Sequence, residues 1–565
     1  MGVSRDKLLS KREYHLYSLA WLFILLGWLM VLNYLSNKFF YRLDLTSGKA
    51  YTLSKSTKAI LKGLTQPVSI TFYASGNFPP ALKSDINQTR DLLSEYQIYS
   101  RGKLKFEMIN PDTNPGLQEK LKTREVEPIQ FQVRGASEFS LRQGYMAIEI
   151  NYLDQRQLFP NALDMADFEY AMSSAILKLT SEKNIGVAFL TGHNEPDSFQ
   201  KLKKMRAAVE QQYVFTTVDT TDGEPVAEDV SVLLVIGPSR VPDLDKYALD
   251  QFLMRGGKII FLVDGTEVAE EYLMAFPKDD GLDDLLASYG VKRNHDLVLD
   301  IFNEKVAYRQ GMFQLIQPYP LWVKMNIPKL EAANILPASQ IINSLGSVTL
   351  PWASSLELNS SVQGIKATEL LKSSPKSWVQ TGQFSLDPNR LPPPLPMTGM
   401  GEKSRLLGVL VEGSFKSFFA GKPEPKPAQG GTESKKESKE KPARLDQSKP
   451  TSIIVVNNSR FIRDDYIGLG DSNLDLVLNS IDWMTWGGKL IGVRSRISTD
   501  RPFNQDINMC LSQRTCGTGS VVKLLTARLL GPFVLPLAVI IYGLARFQLR
   551  RRAKRSWQEA MEAGK

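Results

Sequence analysis

Apolar and polar positions along the chain alternate with two different periods. Val68–Ala74 (VSITFYA) alternates as a half-buried strand does, while Ile86, Leu92, Leu93, Tyr96 and Ile98 fall at helical spacing within Asp85–Ser100. Ser54 stands as an N-cap before a helix over Lys55–Leu64. Further strands are predicted over Lys103–Asn110, Ile129–Arg134 and Tyr145–Asn151. A short helix over Gly116–Lys122 separates the first two, and a helix over Phe168–Leu179 closes the series.

That order, β-α-β-α-β-β-α, is the order of a thioredoxin-like domain, expected over residues 37–182. It holds no cysteine, so redox chemistry is excluded there. A second pattern begins at Ile185–Pro196 (IGVAFLTGHNEP), where an apolar run meets a Gly and releases His193, Asn194 and Glu195. This predicts an inner strand of a parallel sheet, followed by a helix over Asp197–Tyr213. Val214–Val218, Val232–Ile236 and Lys258–Val263 read as strands, with a helix over Asp243–Met254 stopped by Gly256-Gly257. Strands alternating with helices predict a doubly wound parallel α/β sheet over 183–500.

The pattern weakens from Gly281. Leu282–Tyr289 reads as a helix, Leu297–Asp300 as a strand, and a long insertion is expected to about 420, ending in the strand Leu406–Glu412. Residues 421–450 have almost no apolar positions and predict a solvated, disordered loop. Order resumes with the strand Ser452–Val456 and the helix Asn473–Trp486, a β-α unit rejoining the sheet, since long insertions cost little closure entropy.

Two segments stand apart. Leu16–Leu35 and Leu529–Ala545 carry no charge and approach the length that crosses a bilayer. They predict membrane-spanning helices over 16–36 and 527–546, with a juxtamembrane segment over 501–526. The net charge of +9 is concentrated beside them: residues 1–15 carry +2 and 546–565 carry +5, leaving +2 for the 530 residues between. A basic nucleic-acid face is therefore not indicated. By the positive-inside rule, both tails (1–15 and 547–565) are expected in the cytoplasm of a bacterial inner membrane, with the bulk of the chain on the periplasmic side.

Cys510 and Cys516 are the two cysteines, and they are either a small disulfide loop or a free pair. Three scattered histidines (His15, His193, His295) and this cysteine spacing predict no metal site and no cofactor. Candidate ligand- or partner-binding residues follow apolar strands: His193, Asn194 and Glu195, then Asp264, then Asn458, Ser459 and Arg460. Either these line a pocket at the carboxyl ends of a sheet, or they cap helices and satisfy turns. No P-loop motif occurs, so ATP hydrolysis would need a separate protein.

R-L-D-L-T (Arg42–Thr46), Y-T-L-S (Tyr51–Ser54), P-V-S-I-T-F-Y, G-H-N-E-P, Asp250–Asp264, Val411–Phe419, the N-L-D-L-V-L-N-S-I-D-W helix and the closing G-P-F-V-L-P resemble the GldG family. That resemblance implies an auxiliary component of an ABC-2 type transporter, with a permease, a separate ABC ATPase and the lipid bilayer as partners. It also implies a middle domain similar to class I glutamine amidotransferases. The cysteine nucleophile of that fold is missing, and at the comparable strand exit Val263-Asp264-Gly265 stands instead. A non-catalytic transport subunit is thus expected, with a stand-alone envelope scaffold or ligand-binding receptor as the alternative. A hydrolase using Asp264 or His193–Glu195 is the remaining reading.

Overall fold

The structure is a computed structural model that describes residues 52–490 with short stretches left out, the longest being 392–402 and 426–442. It also describes Val493 and helical residues within 21–31 and 540–555. The chain divides into two compact units, Met1–Ser498 and Thr499–Lys565.

The first unit opens with α1 (Lys55–Lys62), which starts where Ser54 Oγ accepts the Thr57 N–H at 3.0 Å. Then follow β1 (Val68–Ala74), α2 (Pro80–Tyr99), β2 (Leu104–Ile109) and α3 (Pro115–Thr123). After them come β3 (Ile129–Arg134), β4 (Phe139–Gly144), β5 (Met146–Tyr152), β6 (Gln155–Phe159) and α4 (Phe168–Leu179). The sheet order is β2-β1-β5-β6, with β1 and β2 parallel and the other pairs antiparallel. Ile129–Arg134, expected in this sheet, instead forms a separate hairpin with β4. The vacant sheet position goes to β6, whose polar QRQLF sequence conceals it. Leu61, Phe72, Leu93, Tyr96, Ile148 and Ile176 form the core of this part.

The second part begins with β7 (Gly186–Thr191), α5 (Lys203–Glu210), β8 (Val214–Asp219), β9 (Val230–Ile236), α6 (Asp243–Met254) and β10 (Lys258–Leu262). A hairpin of β11 (Thr266–Ala269) and β12 (Met274–Pro277) leads to α7 (Asp283–Ser288), β13 (Val291–Arg293) and β14 (Leu297–Asp300). Next come β15 (Asn303–Gln310), β16 (Phe313–Asn326), α8 (Ile327–Ala332), β17 (Ser347–Pro351) and β18 (Leu356–Leu358). The chain continues through β19 (Ile365–Lys372), β20 (Ser377–Gln380), β21 (Phe384–Ser385), β22 (Leu406–Gly413), β23 (Thr451–Val456) and α9 (Asn473–Trp486).

The central sheet runs β13-β18-β22-β23-β10-β9-β7-β8, with β19 also on β22. Strands β8, β7, β9, β10 and β23 are parallel, whereas β22, β18, β13 and β19 join antiparallel. The expectation of a doubly wound parallel sheet is thus corrected to a mixed one, completed by strands from the stretch read as an insertion. Side chains alternate between its two faces. Ile260, Leu262, Ile454 and Val456 meet α5 and α9, while Ile259, Phe261, Ile453 and Val455 meet α6 and α7. The helix expected over Asp197–Tyr213 shortens to α5. Asp197 Oδ1 accepts the Phe199 N–H at 2.7 Å in a local turn that competes with helix, and the Asp464 carboxylate caps Lys203 and Lys204 at 2.9 and 3.0 Å. Part of the 421–450 stretch is ordered: the Leu445 N–H donates to Gln251 Oε1 at 2.9 Å, and Gln251 Nε2 donates to Leu445 O at 3.0 Å. Residues 426–442 lie outside the described residues.

The two membrane-spanning helices expected at 16–36 and 527–546 are overturned: among the described residues, no helix is long and apolar enough to cross a membrane. Of the second expected span the structure describes residues 540–546, part of a helical stretch that continues to 552 through Arg546 and Arg550–Arg552. The anchored two-tailed topology, the membrane-protein description and the periplasmic placement built on those spans fall with them. Cys510 and Cys516 lie outside the described residues.

One buried carboxylate ties helix α4, beside the four-stranded sheet, to α9 and the start of β8 in the central sheet. Asp482 of α9 accepts the Tyr170 hydroxyl from α4 and the Tyr213 hydroxyl ahead of β8, both at 2.6 Å. Burial and the adjacent Asp482 charge push the Tyr213 phenol well above its usual range. Asp482→Ala is expected to cost about 3 kcal/mol, since two hydrogen bonds to a buried charge are lost, leaving the Tyr170 hydroxyl with Gln212 and the Tyr213 hydroxyl with Thr485. Urea unfolding of the full-length chain measures this.

Candidate functional site

At the carboxyl end of β7 the chain turns through Gly192, where φ is +98° and a Cβ would stand 2.9 Å from Asp219 Oδ1. Glu195 shapes the turn with both oxygens. Its Oε1 accepts the Gly192 N–H at 3.1 Å and its Oε2 accepts the His193 N–H at 2.7 Å. Asn194 takes a left-handed φ of 55°, and its carbonyl and that of His193 receive Ser239. The buried His193 ring points at α6, with Nε2 3.3 Å from Asp245 Oδ2. Neither ring nitrogen meets hydrogen-bond geometry, so this is a charge contact and not an aligned bond. Burial works against a charged ring, but Asp245, with Glu195 behind it, outweighs burial and raises the His193 pKa.

Asp264 follows β10 and is buried. Its Oδ1 accepts the Ser459 N–H at 2.7 Å and its Oδ2 accepts the Ser459 hydroxyl at 2.6 Å, joining the exits of β10 and β23. Lys278 Nζ stands 3.9 Å from Oδ2. Burial alone would raise this carboxyl, yet Lys278, Arg463 and Arg460 hold it below the usual carboxylate range. Gly237, closing β9 at φ +56°, leaves room for the clasp: a Cβ there would meet Ser459 Oγ at 2.6 Å.

Asn458 donates from Nδ2 to Pro351 O at 2.6 Å, and its Oδ1 accepts the Phe461 N–H at 2.9 Å. Asn457, which sequence reasoning passed over, donates to Ser355 O at 2.9 Å and Asn294 O at 3.2 Å. Arg460 turns toward the β11–β12 hairpin, donating to Val268 O at 3.2 Å and Glu270 Oε1 at 3.3 Å. Tyr466 adds a 2.6 Å bond to the same Glu270 oxygen, and its ring meets Trp352 edge-on at 5.5 Å.

The structure therefore brings Asp264, Ser459 and Arg460 into one cluster, with His193 and Glu195 occupied by other partners. Residues the sequence reading did not single out complete it: Lys278, Arg463, and a nearby ion-pair group. In that group Arg293 is fully buried against Asp280, with Asp283 beside it. His295 Nε2 lies 2.8 Å from Asp283 Oδ2 and its Nδ1 lies 2.8 Å from Gly265 O. Both partners only accept, so the doubly protonated ring fits, and the Asp283 bond raises the His295 pKa. The acidic run Asp279-Asp280…Asp283-Asp284 was the available signal.

Among the described residues no group of three or more His, Cys, Asp or Glu side chains could hold a metal ion. A cleft of about 370 Å³ lies elsewhere, between α1, the end of α4 and the end of α9, lined by Ile60, Leu64, Leu177, Thr180, Trp486 and Lys489 among others.

At the carboxyl ends of β10 and β23 in this mixed α/β sheet, the strand-end polar groups clasp one another. Residues 184–483, more than half of the chain, match the family described as ABC-type uncharacterized transport system, and the chain belongs to that family. Residues 47–151 match a domain of unknown function, DUF7088. An uncharacterized protein of Borreliella burgdorferi is 24% identical over 525 residues, covering 91% of this chain and 94% of that protein. Among solved structures, the mmIFT52 N-terminal domain is similar at 13% identity and a TM-score of 0.31, over 53% of this chain and 96% of that one. The amidotransferase-like part of the expectation receives no support from these matches.

Asp264→Ala is expected to destabilise the chain by about 3–5 kcal/mol, because Lys278 and Arg463 are left without their buried counter-charge; chemical denaturation reads the loss. Both raised histidines give a signed pH dependence. Their stabilisation is complete below the ordinary value of 6.5 and is lost as pH rises through the folded value. Melting temperature should therefore fall as pH rises above 6.5, and His295→Gln should flatten the profile.

Proposed function

We propose that this protein is a non-catalytic auxiliary component of an ABC-type transport system that works by binding its partner subunits. Its motifs resemble the GldG-like components of ABC-2 type transporters, which makes a permease and a separate ABC ATPase the expected partners. Family membership across the central sheet carries this reading. The geometry supports binding over chemistry. Glu195, Asp264, Ser459 and Arg460, the strand-end groups best suited to catalysis, are hydrogen-bonded to the protein's own loops. A buried carboxylate held below its normal range by three cations is a poor general acid and a good strut.

Nucleotide hydrolysis then belongs to the ATPase partner, and this chain contributes affinity and geometry. Affinity purification of the full-length chain, co-expressed with the ABC permease and ATPase of the same organism, should recover both in fixed proportion. Recovery of the chain without either would contradict the reading.

A further inference from the structure

We infer that the β11–β12 hairpin is the docking element for a partner protein surface in which apolar side chains are bordered by Lys or Arg; the inference rests on the transport-system reading above. The hairpin leaves the sheet directly after the Asp264 clasp, at the carboxyl end of β10. Its tip and one strand expose four apolar side chains in a row of five positions: Tyr272 is 75% exposed, Leu273 47%, Met274 41% and Phe276 51%. Scattered exposed apolar residues need no explanation, but a contiguous cluster on a protruding element marks an interaction surface.

Three further observations point the same way. Leu273 sits in the left-handed region at φ 50° and ψ 42°, a conformation that turns normally assign to Gly or Asn. A bulky apolar side chain is thus kept exposed at a position whose local chemistry favours a smaller residue. The hairpin is also held rigidly. Arg460 bonds Val268 O and Glu270, Tyr466 bonds Glu270, the Leu386 N–H donates to Leu273 O at 2.8 Å, and the Lys278 N–H donates to Gly265 O at 3.0 Å. A preformed platform loses little freedom on binding. Finally, the charge is one-sided. Residues 265–277 contain Glu267, Glu270 and Glu271 and no Lys or Arg, and all three carboxylates are exposed. Arg460 answers Glu270, leaving Glu267 and Glu271 to face a partner. Acidic groups around an apolar tip select a basic-rimmed apolar protein surface and are repelled by an anionic bilayer.

The test uses the full-length chain co-purified with the ABC permease and ATPase, comparing wild type with Tyr272→Ser/Phe276→Ser, Glu267→Lys/Glu271→Lys and Leu273→Gly. Leu273→Gly guards against misfolding, because Gly suits that backbone and should leave the melting temperature unchanged or higher. Each variant is expected to lower partner recovery about tenfold or more, as loss of a central anchor does. Wild-type recovery with undiminished recovery by all three variants overturns the hairpin while leaving the transport reading intact. No recovery by wild type overturns both. Tyr272-dependent self-association in sedimentation, or Tyr272-dependent binding to vesicles of phosphatidylcholine and phosphatidylglycerol, would also overturn it by assigning the hairpin to a second copy or to lipid.

Discussion

The buried carboxylate of Asp264 is the constraint around which this sheet end is built. A carboxylate removed from water is strongly unfavourable unless charge and hydrogen bonds replace the lost hydration. Both oxygens of Asp264 are taken by Ser459, and Lys278, Arg463 and Arg460 supply the positive field. Those five residues come from the exits of two adjacent parallel strands and from the segments that follow them. Satisfying one charge therefore fixes the path of three loops, including the start of the β11–β12 hairpin. The arrangement explains why polar residues sit where an open α/β sheet would place a ligand: their hydrogen-bonding capacity is directed inward.

Much of this was legible from residue patterns. Runs such as VLLVI and KIIFL are β-branched and apolar, so they announce strands buried on both faces, and β9, β10 and β23 lie adjacent in the sheet centre. Helices α4, α6 and α9 occupy the ranges their periodicity predicts. The antiparallel half of the sheet was not legible, because β13 and β18 are three residues long and their pairing is set by distant strands. Asp264 and Ser459 were each visible as polar residues ending a strand. Their partnership was not, since 195 positions separate them and nothing local specifies which loop an aspartate will hold. Lys278, Arg463 and His295 carried no pattern of their own. Their roles come from the fold.

Some sequence signals were outweighed by features close by in the chain. Apolar runs near both ends suggested spanning helices, yet the described helical residues near the C-terminus continue into a row of arginines. The periodicity after Asp197 suggested a long helix, but a side chain that bonds its own backbone two residues on is a stronger local instruction than spacing alone. Likewise β3 had the alternation of a sheet strand and found its partner in its neighbour instead.

On the docking proposal, the sheet holds the apolar, acid-rimmed β11–β12 hairpin outward for a transporter subunit. Hydrogen–deuterium exchange of the full-length chain, with and without the purified permease–ATPase pair, probes this most directly. The account predicts slowed exchange concentrated in residues 266–277, with the strands of the central sheet unchanged. Exchange in that hairpin identical in both states, with or without protection elsewhere, would contradict it.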